Sequence, residues 1–317
     1  MMHINILRRP SLPIARRVLC SRTTASFAAS NAKDIQDEFN RQAHTFEIGW
    51  SARSVKKTGE IMDFIWHEMQ SHVPQEAHAL DVACGTGIFA RHLAATGRCK
   101  SVTGIDITHG MLSKALGAAK AEGRAIQFVH GDAADMAAFA DDAFDLVATR
   151  LSVHHFADPQ VQLAEMARVC KPGGAVVICD VITADDPIEA AEHNRLEVLR
   201  DPSHTRMLPA AELVALVAGS GLAVQSTSSS LALQVRHGST VVRLPYLDNG
   251  MRLHEWLEST RTAPSARAAI ERSLQIELNK GAKTGMLPFV LRAGDEAYVQ
   301  GEVCFTHRWT VCVGIKP

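Results

Sequence analysis

From residue 79 onward, short apolar runs alternate with amphipathic stretches. The run Ala79–Ala83 breaks at a glycine-rich turn, after which IFARHLAA continues at helical spacing. Ser101–Ile107 reads as a second strand, followed by a helix over 110–122. Ile126–His130 is a third strand and Phe144–Thr149 a fourth. A helix over 159–170 ends at Lys171–Gly174, a Lys-Pro-Gly-Gly chain reversal. Ala175–Asp180, with VVIC at its centre, is a fifth strand too apolar to face water on either side. Upstream, DIQDEFNRQAHTFEIGW predicts a short helical stretch. In the longer helix after it, Ile61, Met62, Ile65, Trp66 and Met69 share one face.

Five strands alternating with helices predict an α/β fold, a doubly wound and mostly parallel sheet with right-handed crossovers and helices on both faces. The last third follows another pattern. Residues 209–219 are helical, 222–235 and 302–314 alternate like strands, and 251–281 look helical and amphipathic. The expected organisation is a core over 76–230, a helical insertion over about 245–285 and a late antiparallel strand over about 302–314. Together they form one domain over 34–317.

Composition narrows the class. With 317 residues, 46% hydrophobic and 21% charged, the chain has ample material for a core, and disorder is excluded for most of it. No apolar stretch approaches the roughly 18 residues of a membrane span, although peripheral membrane contact stays open. Seven scattered cysteines without a CxxC pair indicate neither a disulfide framework nor a zinc site. The net charge of -1 hides an asymmetry. Residues 1–33 hold Arg8, Arg9, Arg16, Arg17, Arg22, Lys33 and no acid, which leaves 27 basic against 34 acidic residues in the remainder. An acidic body repels a phosphate backbone, so no nucleic-acid partner is expected. The basic, Ser- and Thr-containing start has the features of a mitochondrial transit peptide and points to the matrix; a disordered basic tail is the alternative.

Chemistry concentrates in LDVACGTGIFA, Leu80 to Ala90. Gly85 and Gly87 sit where a strand turns tightly into a helix and a ligand approaches the backbone. The glycines alone also match a dinucleotide fingerprint. Three acids disfavour that reading. Asp81, just before the loop, would repel a pyrophosphate but suits an ammonium group. Asp106 ends the second strand, placed for ribose hydroxyls, and Asp132, in Gly131-Asp132-Ala133 after the third strand, is placed for an exocyclic amine. Each acid also admits a local role: a strand-end carboxylate, a helix cap or an Asx turn.

DVACGTG, the acid of GID, GDA after strand three, FDLV on strand four and CKPGG before strand five resemble, in that order, the motifs of class I S-adenosylmethionine-dependent methyltransferases. The resemblance covers about residues 36–230 and implies a Rossmann-like sheet and S-adenosylmethionine as cofactor. It implies cofactor contacts by Asp81, Ala83, Gly85 and Gly87, by Asp106 and Ile107 at the ribose, and by Met111, Asp132 and Ala133 at the adenine. It further resembles the small-molecule branch that includes ubiquinone and menaquinone C-methyltransferases. There FNRQAHTF, with Phe39, Gln42 and Phe46, looks like a lid helix. The quinone enzymes tend to carry an Arg-Asn pair after strand four, where this chain has His154, His155 and Phe156.

The implied partner is a small-molecule methyl acceptor, aromatic, quinone-like or lipid-like, with oligomeric state left open. His154 and His155 leave strand four at its carboxyl end, where such sheets bind ligands, and either imidazole is a candidate base. Arg150 is a candidate for an anionic group, or through its carbonyl for the methionine ammonium. His204 and Arg206 are candidates for the substrate mouth. His193 and His307 read as lone structural histidines, and no metal is expected. Trp256, Leu257 and Met251 would line the acceptor cover or pack on the sheet. A cofactor-binding assembly factor, or a non-methylating relative such as a hydroxylase, is the alternative function.

Overall fold

A computed structural model describes residue 33 and residues 35–41, 52–291 and 301–317, with backbone alone for 52–57 and 249. The strand–helix alternation produces β1 (Ala77–Val82), α3 (Ile88–Ala95), β2 (Cys99–Asp106), α4 (His109–Ala121), β3 (Ile126–His130), β4 (Phe144–Arg150), α5 (Pro159–Val169) and β5 (Cys170–Thr183). The five strands are mutually parallel in the order β3-β2-β1-β4-β5. Successive residues point to opposite faces, so VVIC feeds two cores at once. Val176 and Ile178 join Leu80, Val82 and Val147 in one. Val177 and Cys179 join Ala79, Leu146 and Ala148 in the other. There Ile61, Met62, Ile65 and Met69 of α2 (Ala52–Met69) close the layer.

Several expectations are corrected. Lys171–Gly174 does not reverse the chain but bulges within β5. Phe144 pairs with Cys170 and Leu146 already with Ala175, while Gly173, at φ 76°, donates its N–H to the Lys316 carbonyl. The strand expected over 222–235 divides into β7 (Ala223–Val224) and β8 (Ala232–His237). The helix expected over 251–281 begins as a strand: β9 runs Thr240–Arg252, and two helices follow, α8 (Leu253–Ser259) and α9 (Pro264–Leu278). Pro264 opens α9, the position where a missing N–H costs least.

The single late antiparallel strand becomes an antiparallel half-sheet. β11 (Val303–Ile315) pairs with β5 on one side and β9 on the other, and β9 pairs with β8. Pro245 sits where β9 changes partners, from β8 over Thr240–Pro245 to β11 over Tyr246–Arg252, so its lacking N–H interrupts neither ladder. Residues 187–200, whose pattern predicts no element, form α6 (Pro187–Arg200), capped by Asp186, whose carboxylate accepts from the N–H groups of Ile188 and Glu189. Between it and α7 (Ala210–Gly219) runs the segment 201–209.

Of the two roles open to Trp256 and Leu257, packing is the one observed. They form a third core with Leu196 of α6, Ile270 and Leu274 of α9 and Phe305 of β11, and Met251 packs against it. Among the described residues, no helix is long and apolar enough to cross a membrane.

Candidate active site

The loop between β1 and α3 is unusually strained: Ala83, Gly85 and Gly87 have φ of 54°, 54° and 74°. A Cβ on Gly87 would lie 3.0 Å from the Phe128 ring. One on Gly85 would meet nothing within 4 Å, so the backbone there faces open space. The loop's amides are mostly committed internally. Cys84 N–H goes to the Ile105 carbonyl, Gly87 N–H to the Cys84 carbonyl, and Gly85 N–H to Asp106 Oδ2 at 2.8 Å. Amides so engaged are poor cradles for a pyrophosphate, which weighs against the dinucleotide reading.

Asp81 is 1% exposed, and its Oδ2 is buried without a hydrogen-bond partner. Burial raises its pKa to about 7, against the opposing pull of Arg150. A buried carboxylate oxygen left without a partner fits a cationic group, and the residues present therefore suit an amino-acid ligand end.

Asp106 serves its own loop as well as any ligand: Oδ1 accepts from Thr108 N–H while Oδ2 holds Gly85. Burial raises its pKa despite these bonds. Asp132 makes the Asx turn anticipated as its local role, Oδ1 accepting from Ala134 N–H. Met111 and Ala133 are buried, and the Ile107 carbonyl meets both His130 Nε2 and Gln36 Nε2. The Gln36 contact belongs to α1 (residues 35–41), where Asn40 also accepts from Gly110 N–H. Gln42 and Phe46 lie outside the described residues.

On the other side of β1, the turn after β4 buries both histidines. His154 Nδ1 lies 2.6 Å from Asp180 Oδ1 of β5. Burial works against a charged His154, yet the Asp180 carboxylate outweighs it and raises the pKa, while Asp180 is itself lowered. His155 is different. Burial first, then His154, lowers its pKa to about 4. Its Nδ1 lies 3.0 Å from the Ser203 carbonyl, and Phe39 of α1 meets its ring edge-on at 5.0 Å.

The segment after α6 docks on this turn through Thr205 and Arg206 N–H groups to the His154 carbonyl. It brings His204 to 5.3 Å from His154, with a pKa pushed down to about 3 chiefly by burial. Arg206 instead pairs with Glu212 at the surface. His193 and His307 are not lone: their rings lie 6.0 Å apart beside Glu197. Sequence reasoning missed Asp180, although its place at the carboxyl end of strand five was visible. It missed Glu197 because α6 itself was unassigned.

Comparison with known proteins follows this geometry. A profile described as a methyltransferase domain matches residues 80–178. The uncharacterized methyltransferase YcgJ of Bacillus subtilis is 34% identical over 151 residues, 47% of this chain and 58% of the relative. The ubiquinone/menaquinone biosynthesis C-methyltransferase UbiE of Bdellovibrio bacteriovorus is 36% identical over 167 residues, 52% of this chain and 68% of that protein. The chain belongs to the class I S-adenosylmethionine-dependent methyltransferase family.

Solved structures agree on the fold of this methyltransferase. YcgJ superposes with a TM-score of 0.63 at 24% identity, covering 81% of this chain and 97% of that one. The BH2331 protein of Bacillus halodurans gives 0.65 at 22%, covering 81% and 98%. In sequence, however, the chain spans less than two thirds of YcgJ, so its reaction is argued from its own residues.

Proposed function

We propose that this methyltransferase moves a methyl group to a small-molecule acceptor that arrives protonated, with His154 as base. The 2.6 Å contact from His154 Nδ1 to buried Asp180 carries the reading. It fixes the proton on Nδ1 and leaves Nε2 as the atom that accepts a proton. S-adenosylmethionine, when bound, supplies a methyl on a sulfonium already activated toward displacement. The protein's share is alignment and exclusion of water.

Asp81 and Arg150 offer opposite charges to the ammonium and carboxylate of the methionine end. Asp106 retains lone pairs for the ribose hydroxyls, and Asp132 serves the adenine amine. Ala83, Gly85, Gly87, Ile107, Met111 and Ala133 complete the walls. Gln42 and Phe46 belong to the proposed lid with Phe39. His155, held neutral by burial, packs against that lid and shapes the acceptor side; it is a poor base. An aromatic or quinone-like acceptor suits a wall of Phe39, His154, His155 and His204, and the quinone enzymes among the relatives support it.

The test is release of S-adenosylhomocysteine from a pool of phenols and hydroquinones. His154→Gln should lower turnover about 10²–10⁴-fold with cofactor affinity little changed. Undiminished turnover in that variant would remove the base. Tight cofactor binding without release on any acceptor would favour an assembly role instead. The reading extends to the mitochondrial matrix, supported by the acid-free, Arg-rich composition of residues 1–33; a reporter fused to them that stays cytosolic would defeat it.

A further inference from the structure

His193 and Glu197 stand four residues apart on α6 and so share a face; β11 brings His307 against it. One nitrogen of each imidazole and one Glu197 oxygen all lie within 4.8 Å of one another, and all three residues are buried. Arg200 Nε holds Glu197 Oε2 at 2.9 Å, which directs Oε1 toward the imidazoles. His307 Nε2 is 3.0 Å from that oxygen. His193 Nε2 is 3.9 Å from it, too far for a hydrogen bond, and is buried with no hydrogen-bond partner.

That orphan is informative. His193 Nδ1 faces Thr183 Oγ1 at 3.4 Å, an outer contact open to a ligating imidazole whose Nδ1 carries the proton. With the proton on Nδ1, the Nε2 lone pair points at a carboxylate oxygen. Two acceptors facing each other in a buried site call for a cation between them.

We propose that His193, Glu197 and His307 bind a divalent first-row transition ion of the zinc class, tying α6 to β11. Bonds of about 2.0–2.2 Å place tetrahedral donor atoms about 3.3–3.5 Å apart. The observed 3.0 and 3.9 Å to Glu197 Oε1 bracket that spacing, and all three donor atoms lie within 4.8 Å of one another, so an ion draws them together by a short movement. Two imidazoles and one carboxylate suit zinc, cobalt, nickel or iron, whereas calcium and magnesium want oxygen throughout. With three protein donors, water completes the sphere. Binding displaces the His307–Glu197 hydrogen bond and releases any proton on His307 Nε2. The helix that carries His193 and Glu197 also touches the segment beside His154, with Asn194 Oδ1 of α6 3.1 Å from His204 Nε2.

The test uses the full chain, stripped with a chelator and titrated with zinc against a chromophoric competitor. One equivalent should bind, and the thermal midpoint should rise with zinc concentration. Cobalt in place of zinc should give visible bands of nitrogen and oxygen ligation without a thiolate charge-transfer band. His193→Gln and, separately, His307→Gln should weaken zinc at least 10²-fold, with far-UV circular dichroism confirming that each is folded. No stoichiometric binding by folded wild-type protein would leave only an ionic Glu197–His307 pair and overturn the proposal. So would an equivalent that survives both substitutions, or a thiolate band, since either places the metal elsewhere.

Discussion

Asp81 is held in a state that suits a visitor better than it suits the protein alone. Its folded pKa, about 7, lies above the ordinary 3.8, so its contribution to stability is full below pH 3.8 and is lost as pH rises toward 7. Asp81→Asn keeps the shape and removes the charge. The variant should melt progressively higher than wild type between pH 4 and pH 7 and hold that lead at pH 8. Its cofactor affinity should be weak and flat with pH. Wild-type affinity should instead fall as pH drops below about 7, because the ammonium then meets a protonated acid. A wild-type binding curve by calorimetry that ignores pH over this range would remove Asp81 from the ligand.

Asp180 acts one step behind His154. With its charge present, the imidazole pKa is raised, and the base form accumulates only at higher pH. Asp180→Asn should therefore lower turnover by about 10²-fold or more and move the rising limb of the pH–rate profile to lower pH. A merely structural Asp180 would change the height of the profile and not its position. This pairing escapes a reading along the chain, since the two residues are 26 positions apart and meet only because β4 and β5 are neighbours. The acids of the cofactor side were legible, because each stands at the carboxyl end of its own strand or in the turn just after it, marked by glycine or by a break in apolar character.

Among the elements, α1 joins the two halves of the site. Gln36 and Asn40 reach the loop after β2, while Phe39 reaches His155 after β4. An edge-on aromatic contact is worth about 0.5–1.5 kcal/mol. Phe39→Ala should accordingly weaken cofactor binding about two- to tenfold and leave the thermal midpoint nearly unchanged. A large loss of midpoint with unaltered affinity would make α1 part of the core and not a lid. The parallel strands could be recognised from sequence because burial on both faces makes them continuously apolar. β9 could not: half of it is exposed or polar, it contains Pro245, and its pattern runs without a break into the amphipathic α8 and α9. The helix α6 was equally hidden, with buried His193 and Glu197 standing where periodicity looks for apolar residues.

At the scale of the molecule, the parallel and antiparallel halves of the sheet meet at β11. It pairs with β5 from Ala175 to Ile182 and with β9 from Tyr246 to Arg252. A chain ending at residue 302 would expose the flank of β5 and leave the β8–β9 hairpin with no strand to pair with. Such a truncation should fail to give a cooperative melt, whereas loss of an outlying strand alone would be expected to lower the midpoint. Retained cooperativity would show that the parallel half folds by itself.

This placement of β11 also sets the order of events during synthesis. The ribosome makes β5 more than a hundred residues before β11, so the partner for one side of β5 emerges long after it. Until then β5 presents an open ladder of N–H and C=O groups, the kind of edge that invites pairing with other chains. The β8–β9 hairpin, finished earlier, can bury Val235, Val242 and Leu244 in the core but lacks its neighbouring strand. Closure of this sheet is thus an insertion of β11 between a β5 edge and a β8–β9 hairpin that are both made before it, and contacts of such sequence separation form slowly.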